Sequence, residues 1–257
     1  MAQPFLVLDI ETILDPELPI AESSDAERLP APPHHRIVAL GALWFGPAYE
    51  IKKIGIIGEG KQEAGVLGDF AKLIQDRRPC LVTYNGRCFD LPVIATRCLR
   101  HGITLAHYYT ERDVRYRYSS EGHFDLMDYV ADFGAAKASR LDVIAKLCGM
   151  PGKVGFEGKD VGPMVFAGRL DHVKNYCLCD VVQTAAVFLR VQLVRGALAR
   201  EAYISVMRSL VQIVRDDPRL SAIASGMNEA RLLLAEENPD ETRKVLTHSD
   251  HDPTQRT

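Results

Sequence analysis

The chain has 257 residues, of which 47% are hydrophobic and 25% charged, with a formal net charge of −3. That length accommodates one large domain or two small ones with a sizeable core, and that composition is ordinary for a globular protein. The charge gives no global basic signature for nucleic-acid binding, although an enzyme that cuts nucleic acid can carry an acidic site of its own.

No unbroken run approaches the roughly 18 apolar residues of a membrane span. The N-terminus lacks a basic region and a small-residue cleavage site, so Phe5–Ile10 reads as a strand rather than a signal peptide. Of the six cysteines, Cys177 and Cys179 are two apart on a predicted helix and face different ways, which is not zinc-ligand spacing. Free thiols in a reducing cytoplasm are expected, and no internal repeat is visible.

The first apolar run, Phe5-Leu-Val-Leu-Asp-Ile-Glu-Thr12, predicts a strand. Side chains alternate along a strand, so Asp9 and Glu11 share a face about 7 Å apart. Two carboxylates so placed repel one another and resist desolvation, and a hard divalent cation relieves both problems. The alternative is a strand end that surfaces into solvent with two exposed acids. Leu14–Pro33, with five prolines and no periodicity, predicts a long loop. Residues 36–45 and 49–57 predict an antiparallel hairpin.

Apolar spacing predicts a helix over 63–78, closed by Pro79, then a strand over 80–84. The turn Asn85-Gly86 leads into a helix from Asp90 to Arg100, with Pro92 tolerated in its first turn. Tyr108, Tyr109, Arg112, Arg115, Tyr116, Arg117 and Tyr118 fall within eleven positions. Such interleaving suits stacking on bases and neutralising phosphates of a single strand, or else an exposed hairpin with cross-strand aromatic pairs. Residues 122–128 predict a short strand turning into a helix with Asp128 as N-cap, and an amphipathic helix follows over 139–150. The glycines at 152, 155, 158 and 162 lack a phosphate-loop pattern and predict a mobile loop. A long, substantially buried helix is expected over 171–198, then helices over 202–214 and 222–236, and a disordered polar tail.

Strands followed by helices in this order give an α/β chain around a mixed sheet, whose active sites gather where loops leave one end of the strands. Asp9, Glu11, Asn85 and Asp90 all lie at C-terminal strand ends. On the long helix, Tyr176 and Asp180 are four apart and share a face.

Asp9-Ile-Glu11, Asn85-Gly-Arg-Cys-Phe-Asp90 and Tyr176-Cys-Leu-Cys-Asp180 resemble, in order and spacing, the three motifs of the DEDD superfamily of 3′–5′ exonucleases. The match is to the tyrosine-bearing branch, as in the proofreading domain of family-B DNA polymerases. A histidine-bearing member would carry His where this chain has Asn175. Residues 33–39, 123–128 and 167–170 further resemble bacterial stand-alone proteins described as predicted polymerase-B-like exonucleases, and the similarity spans about residues 4–196.

The resemblance implies a ribonuclease H-like mixed five-stranded sheet flanked by helices over 1–199, a C-terminal helical extension over 200–240 and a tail over 241–257. It implies metal-dependent hydrolysis from the 3′ end of single-stranded nucleic acid, DNA favoured. Asp9, Glu11, Asp90 and Asp180 would hold two Mg²⁺ or Mn²⁺ ions about 3.5–4 Å apart. Glu11 would orient the attacking water and Tyr176 would position it. Asn85 would contact the terminal nucleotide or fix its turn, and Phe89 would wedge against a base or pack in the core. Apart from the resemblance, the interleaving of tyrosines and arginines assigns Arg115, Tyr116 and Arg117 to contact with the strand. Asp125 and Asp128 are assigned to capping and structure. The competing reading is a non-catalytic nucleic-acid-binding or scaffolding module on the same fold.

Overall fold

The computed structural model describes residues 3–18, 29–155 and 158–235. Strand β1 (Phe5–Leu14) is followed, after a 3₁₀ turn at Pro32–His34, by β2 (His35–Phe45) and β3 (Ile51–Ile56). Then come α1 (Glu63–Arg77), β4 (Cys80–Thr83), α2 (Asp90–His101), α3 (Ala106–Thr110), α4 (Arg112–Arg115) and β5 (His123–Asp125). The remainder is helical: α5 (Leu126–Val130), α6 (Leu141–Cys148), α7 (Val161–Phe166), α8 (Leu170–Val194), α9 (Arg200–Asp216), α10 (Ser221–Ala224) and α11 (Glu229–Leu232).

The five strands form one mixed sheet in the order β3-β2-β1-β4-β5, the expected ribonuclease H-like arrangement. β1 pairs antiparallel with β2 and parallel with β4, and β4 pairs parallel with β5. Alternation along β1 divides the core between two faces. Leu6, Leu8 and Ile10 pack with α1 and α2, whereas Val7 packs on the face covered by α8. Asp9 and Glu11 follow the parity of Val7, so both acids face α8.

That close approach of α8 needs a gap in the sheet. Gly41, the β2 partner of Asp9, supplies it: a Cβ there would stand 2.8 Å from Cys177 Sγ and 3.0 Å from Val181 Cγ2. Among the described residues, α8 is the one helix long and apolar enough to cross a membrane, with a mean hydropathy of 1.6 over eighteen residues. The sequence shows no such unbroken run because Asp180, Gln183 and Thr184 interrupt it. In the fold, 72% of that window is buried inside the protein. The C-terminal helices belong to the same core: Tyr203, Met207, Leu210, Ile223 and Leu232 cluster with Phe188 and Val182 of α8.

On the opposite face, α1 and α2 are tied to the end of β1 by a buried ion network. Arg97, 2% exposed, donates from Nη1 to Asp15 Oδ2 at 2.6 Å, and from Nε and Nη2 to Glu63 at 2.8 and 2.6 Å. Glu63 also accepts the Ile37 N–H at 2.8 Å and lies 2.8 Å from His101 Nε2. Burial alone would raise the Glu63 and Asp15 pKa values, but hydrogen bonds from Arg97 hold both below the ordinary carboxylate range.

Several sequence expectations are corrected. Asp125, not Asp128, caps α5: its Oδ1 accepts the Met127 N–H at 3.0 Å, while Asp128 lies inside the helix and pairs with Arg117. Residues 106–115 form two short helices rather than a hairpin strand pair. Gly162 lies within α7 rather than in a loop. The helix expected over 222–236 is broken into α10 and α11, with Gly226 between them held where a Cβ would lie 2.7 Å from Pro151 Cβ. Residues 19–28 of the expected loop, and the tail from 236 onward, lie outside the described residues.

Candidate active site

Three elements deliver four carboxylates to one end of the sheet. β1 contributes Asp9 and Glu11. Asp90 opens α2, and its Oδ1 accepts the Ile10 N–H at 3.1 Å, which pins it to the backbone between the other two acids. Asp180, on the sheet-facing side of α8, accepts from Gln183 Nε2 at 3.2 Å and from the Tyr176 hydroxyl one turn earlier.

The electrostatics reflect this convergence. Burial, then the charges of Asp90, Glu11 and Asp180, push the Asp9 carboxyl well above its ordinary pKa. Glu11, 7% exposed, is raised well above its own by burial and then by Asp180 and Asp90. Burial raises Asp90 to about 7 and Asp180 to about 6. Lys153 partly offsets the repulsion at Glu11 and Asp180. The Tyr176 hydroxyl is pushed far above its ordinary pKa by burial and by Asp180, so it keeps its proton and acts as a donor.

This donor set fits a divalent cation. Clustered, desolvated carboxylates are held neutral only by protons, and a hard cation with oxygen ligands can replace those protons. A pH dependence follows for the metal-free protein. A carboxyl raised in the folded state retains a proton that the unfolded chain has released, so the unfolded chain binds fewer protons and stability falls as pH rises. With Asp90 near 7 and Asp180 near 6, that fall is expected between about pH 4 and 7. Mn²⁺ should therefore raise the melting temperature more at pH 8 than at pH 5. Equal gains in thermal denaturation at the two pH values would contradict the fit.

Of the other residues singled out in the sequence, Asn85 lies in the turn before α2 with φ of 68°, a left-handed conformation that asparagine tolerates. Its N–H and that of Arg87 donate to the two oxygens of Asp125 at 2.9 and 2.8 Å, so Asp125 braces the turn that presents Asp90. Phe89 meets the His35 ring edge-on at 5.0 Å and lines an apolar groove of about 580 Å³ together with Glu11, Thr12, Pro163 and Phe166. A smaller cavity of about 110 Å³ opens beside Tyr176, Asp180 and Lys153.

Arg115, Tyr116 and Arg117 line neither cavity. Arg117 donates to both oxygens of Asp128, at 2.6 and 3.1 Å, and the Arg115 guanidinium lies over Tyr108 and Tyr109. Tyr116 is exposed beneath Arg112.

Sequence reasoning missed Lys153, Gln183, Asp125 as the brace of the turn, and Cys177. Gln183 was legible as the next residue of the Tyr176–Asp180 stripe, three beyond Asp180. The spacing of Cys177 to Cys179 carries no signal for its surroundings, because its partners come from other elements: Sγ accepts the Gly41 N–H at 3.2 Å and lies 3.3 Å from the Asp9 carbonyl oxygen.

No curated protein matches the chain in sequence. In structure it is similar to the family B DNA polymerase from the hyperthermophilic archaeon Pyrobaculum calidifontis, with 19% identity and a TM-score of 0.51, covering 90% of this chain and 28% of the polymerase. It also matches E. coli exonuclease I in complex with a dA16 oligonucleotide, with 15% identity and a TM-score of 0.35, over 71% of this chain and 43% of that one. The chain thus spans less than half of either protein. Residues 29–225, well over half of the sequence, match the family described as predicted 3′–5′ exonucleases related to the exonuclease domain of PolB, and the chain belongs to that family.

Proposed function

We propose that this protein is a metal-dependent 3′–5′ exonuclease that removes nucleotides from the 3′ end of single-stranded nucleic acid, DNA in preference to RNA. The observation that carries the reading is the convergence of Asp9, Glu11, Asp90 and Asp180 from three elements, with the Tyr176 hydroxyl bonded to the last of them. The direction of attack and the preference for DNA rest on the family and on the likeness to polymerase exonuclease motifs. Asp9, Glu11, Asp90 and Asp180 would hold two Mg²⁺ or Mn²⁺ ions. When bound, such ions neutralise phosphate oxygens and make a water acidic enough to attack at neutral pH.

The chain's own residues do the positioning. Asp90 is fixed against the β1 backbone, so its carboxylate needs little reorganisation. Glu11 borders both the acid cluster and the apolar groove, where it can orient a water against the terminal phosphate. Tyr176, whose proton is retained, places that water by a hydrogen bond and not as a base. The groove walled by Phe89, Pro163 and Phe166 suits the faces of terminal bases, since stacking on apolar and aromatic side chains does not depend on base identity.

The test is digestion of 5′-labelled single-stranded DNA and RNA with Mg²⁺ or Mn²⁺. A ladder shortening from the 3′ end with mononucleotide release is expected. Oligonucleotide products would indicate internal cutting, and retention of strand without hydrolysis would indicate a binding module. In the same assay Tyr176→Phe should lower turnover about 100-fold while Mn²⁺ affinity, measured by titration, is unchanged. Full turnover in Tyr176→Phe would show that the hydroxyl plays no part.

A further inference from the structure

Trp44, the single tryptophan of the chain, stands half-buried at the end of the sheet away from the acids. It pairs with Leu6 of β1 and with Lys53 of β3, and Ala42 pairs with Gly55. By alternation Trp44 and Ala42 share the face of Leu6, on which α1 and α2 pack. At this end the face is open. A cavity of about 510 Å³ lies between β3 and α1, with Leu6, Ala42 and Trp44 on the sheet side and Leu73 on the helix side. A Cβ on Gly55 would meet no atom within 4 Å, so there is room for a side chain from outside.

Three cations surround this apolar floor. Lys52, Lys53 and Arg77 line the cavity and are exposed, in a chain whose net charge is −3. Lys52 meets Glu50 at 3.2 Å, but among the described residues Lys53 and Arg77 have no acidic partner. Two acids of α1 are already engaged, Asp69 by Lys61 and Asp76 by Lys72, each at 2.7 Å. β3 is moreover an edge strand, with one side of its backbone unpaired within the sheet.

We infer that this trough docks an extended acidic segment of a protein partner, which lies along β3 and seats one bulky apolar side chain over Gly55 against Trp44. Such a segment supplies countercharge for Lys53 and Arg77, backbone partners for the edge strand and an apolar group for the floor. A second copy of the chain fits worse, because pairing two β3 edges would bring Lys52 and Lys53 against the same lysines. A nucleic-acid strand held at the acids fits worse too. Leu6 precedes Glu11 by five residues, about 17 Å along β1, and faces the opposite side of the sheet. The inference lies beyond the nuclease reading and does not rest on it.

Trp44 itself reports on the trough, since all tryptophan emission comes from it. Full-length protein is titrated with two octapeptides of aspartate and glutamate, one with a central phenylalanine and one with a central leucine. A saturable shift of the emission is expected with at least one of them. No shift is expected when the central residue is serine, or when lysines replace the acids. Gly55→Leu fills open space at an ordinary backbone conformation and should weaken binding at least about 10-fold. Lys53→Glu combined with Arg77→Glu should do the same through charge alone, so the inference stays testable if Gly55→Leu folds poorly. Absence of a saturable shift with either acidic peptide up to about 1 mM would overturn it, as would equal binding of the lysine peptide. A response to oligothymidylate that the same variants block would make the trough a nucleic-acid surface instead. A concentration-dependent dimer in sedimentation, abolished by Gly55→Leu, would make it a contact between copies; either result overturns the inference.

Discussion

Asp9→Asn should leave Mn²⁺-dependent hydrolysis at least about 1000-fold below that of the unsubstituted protein, a loss of about 4 kcal/mol of transition-state stabilisation. The substitution keeps the shape of the side chain and removes the negative charge at the centre of the four acids, the one whose pKa responds to all three others. The same substitution should stabilise the metal-free fold at pH 8. Each kcal/mol of repulsion and desolvation relieved corresponds to about 2–4 °C in melting temperature for a chain of this size. Opposite signs for activity and metal-free stability separate a functional acid from a structural one. Activity within 10-fold of the original, or a lowered metal-free melting temperature, would contradict the assignment.

Arg97→Met should destabilise the protein by about 3–5 kcal/mol, because it leaves Asp15 and Glu63 buried without their cation. Arg100 Nη1 stands 3.7 Å from Asp15 Oδ2 and His101 contacts Glu63, but neither reproduces the fork that engages both acids at once. Restoring charge balance by adding Glu63→Gln and Asp15→Asn should recover part of the loss. Denaturant unfolding of the single and triple variants decides it: a cost under 1 kcal/mol for Arg97→Met would show the network to be dispensable. Asp15 follows Glu11 by four residues, so this network also anchors the strand end that carries the acids.

What was legible in the sequence, and what was not, divides by range. Alternation within Phe5–Thr12 placed Asp9 and Glu11 on one face, and the four-residue spacing of Tyr176 and Asp180 placed them on one side of a helix, because both are properties of local backbone geometry. The position of Cys177 was invisible because its partner Gly41 is 136 residues away, and no local period couples a helix cysteine to a strand glycine. Asp125 and Asp128 are both suitable caps by composition. The tie was broken by the parallel pairing of Thr83 with Asp125, which aims that carboxylate at the Asn85 turn. The break between α10 and α11 was likewise set by a distant contact of Gly226 with Pro151, not by helix propensity.

Helix α8 has a consequence for divergence in this family. Each residue turns a helix by about 100°, so a single insertion or deletion between Tyr176 and Asp180 would swing one of the two away from the acids. Adding or removing residues in the turn around Gly196 would leave their angular relation untouched, and apolar exchanges along the buried stretch need only keep volume. Along α8 itself, the phase of the five-residue segment from Tyr176 to Asp180 is therefore held more tightly than the identity of the apolar residues around it. A chain could lose most of its likeness to a polymerase in letters and still present the same side chains in the same directions.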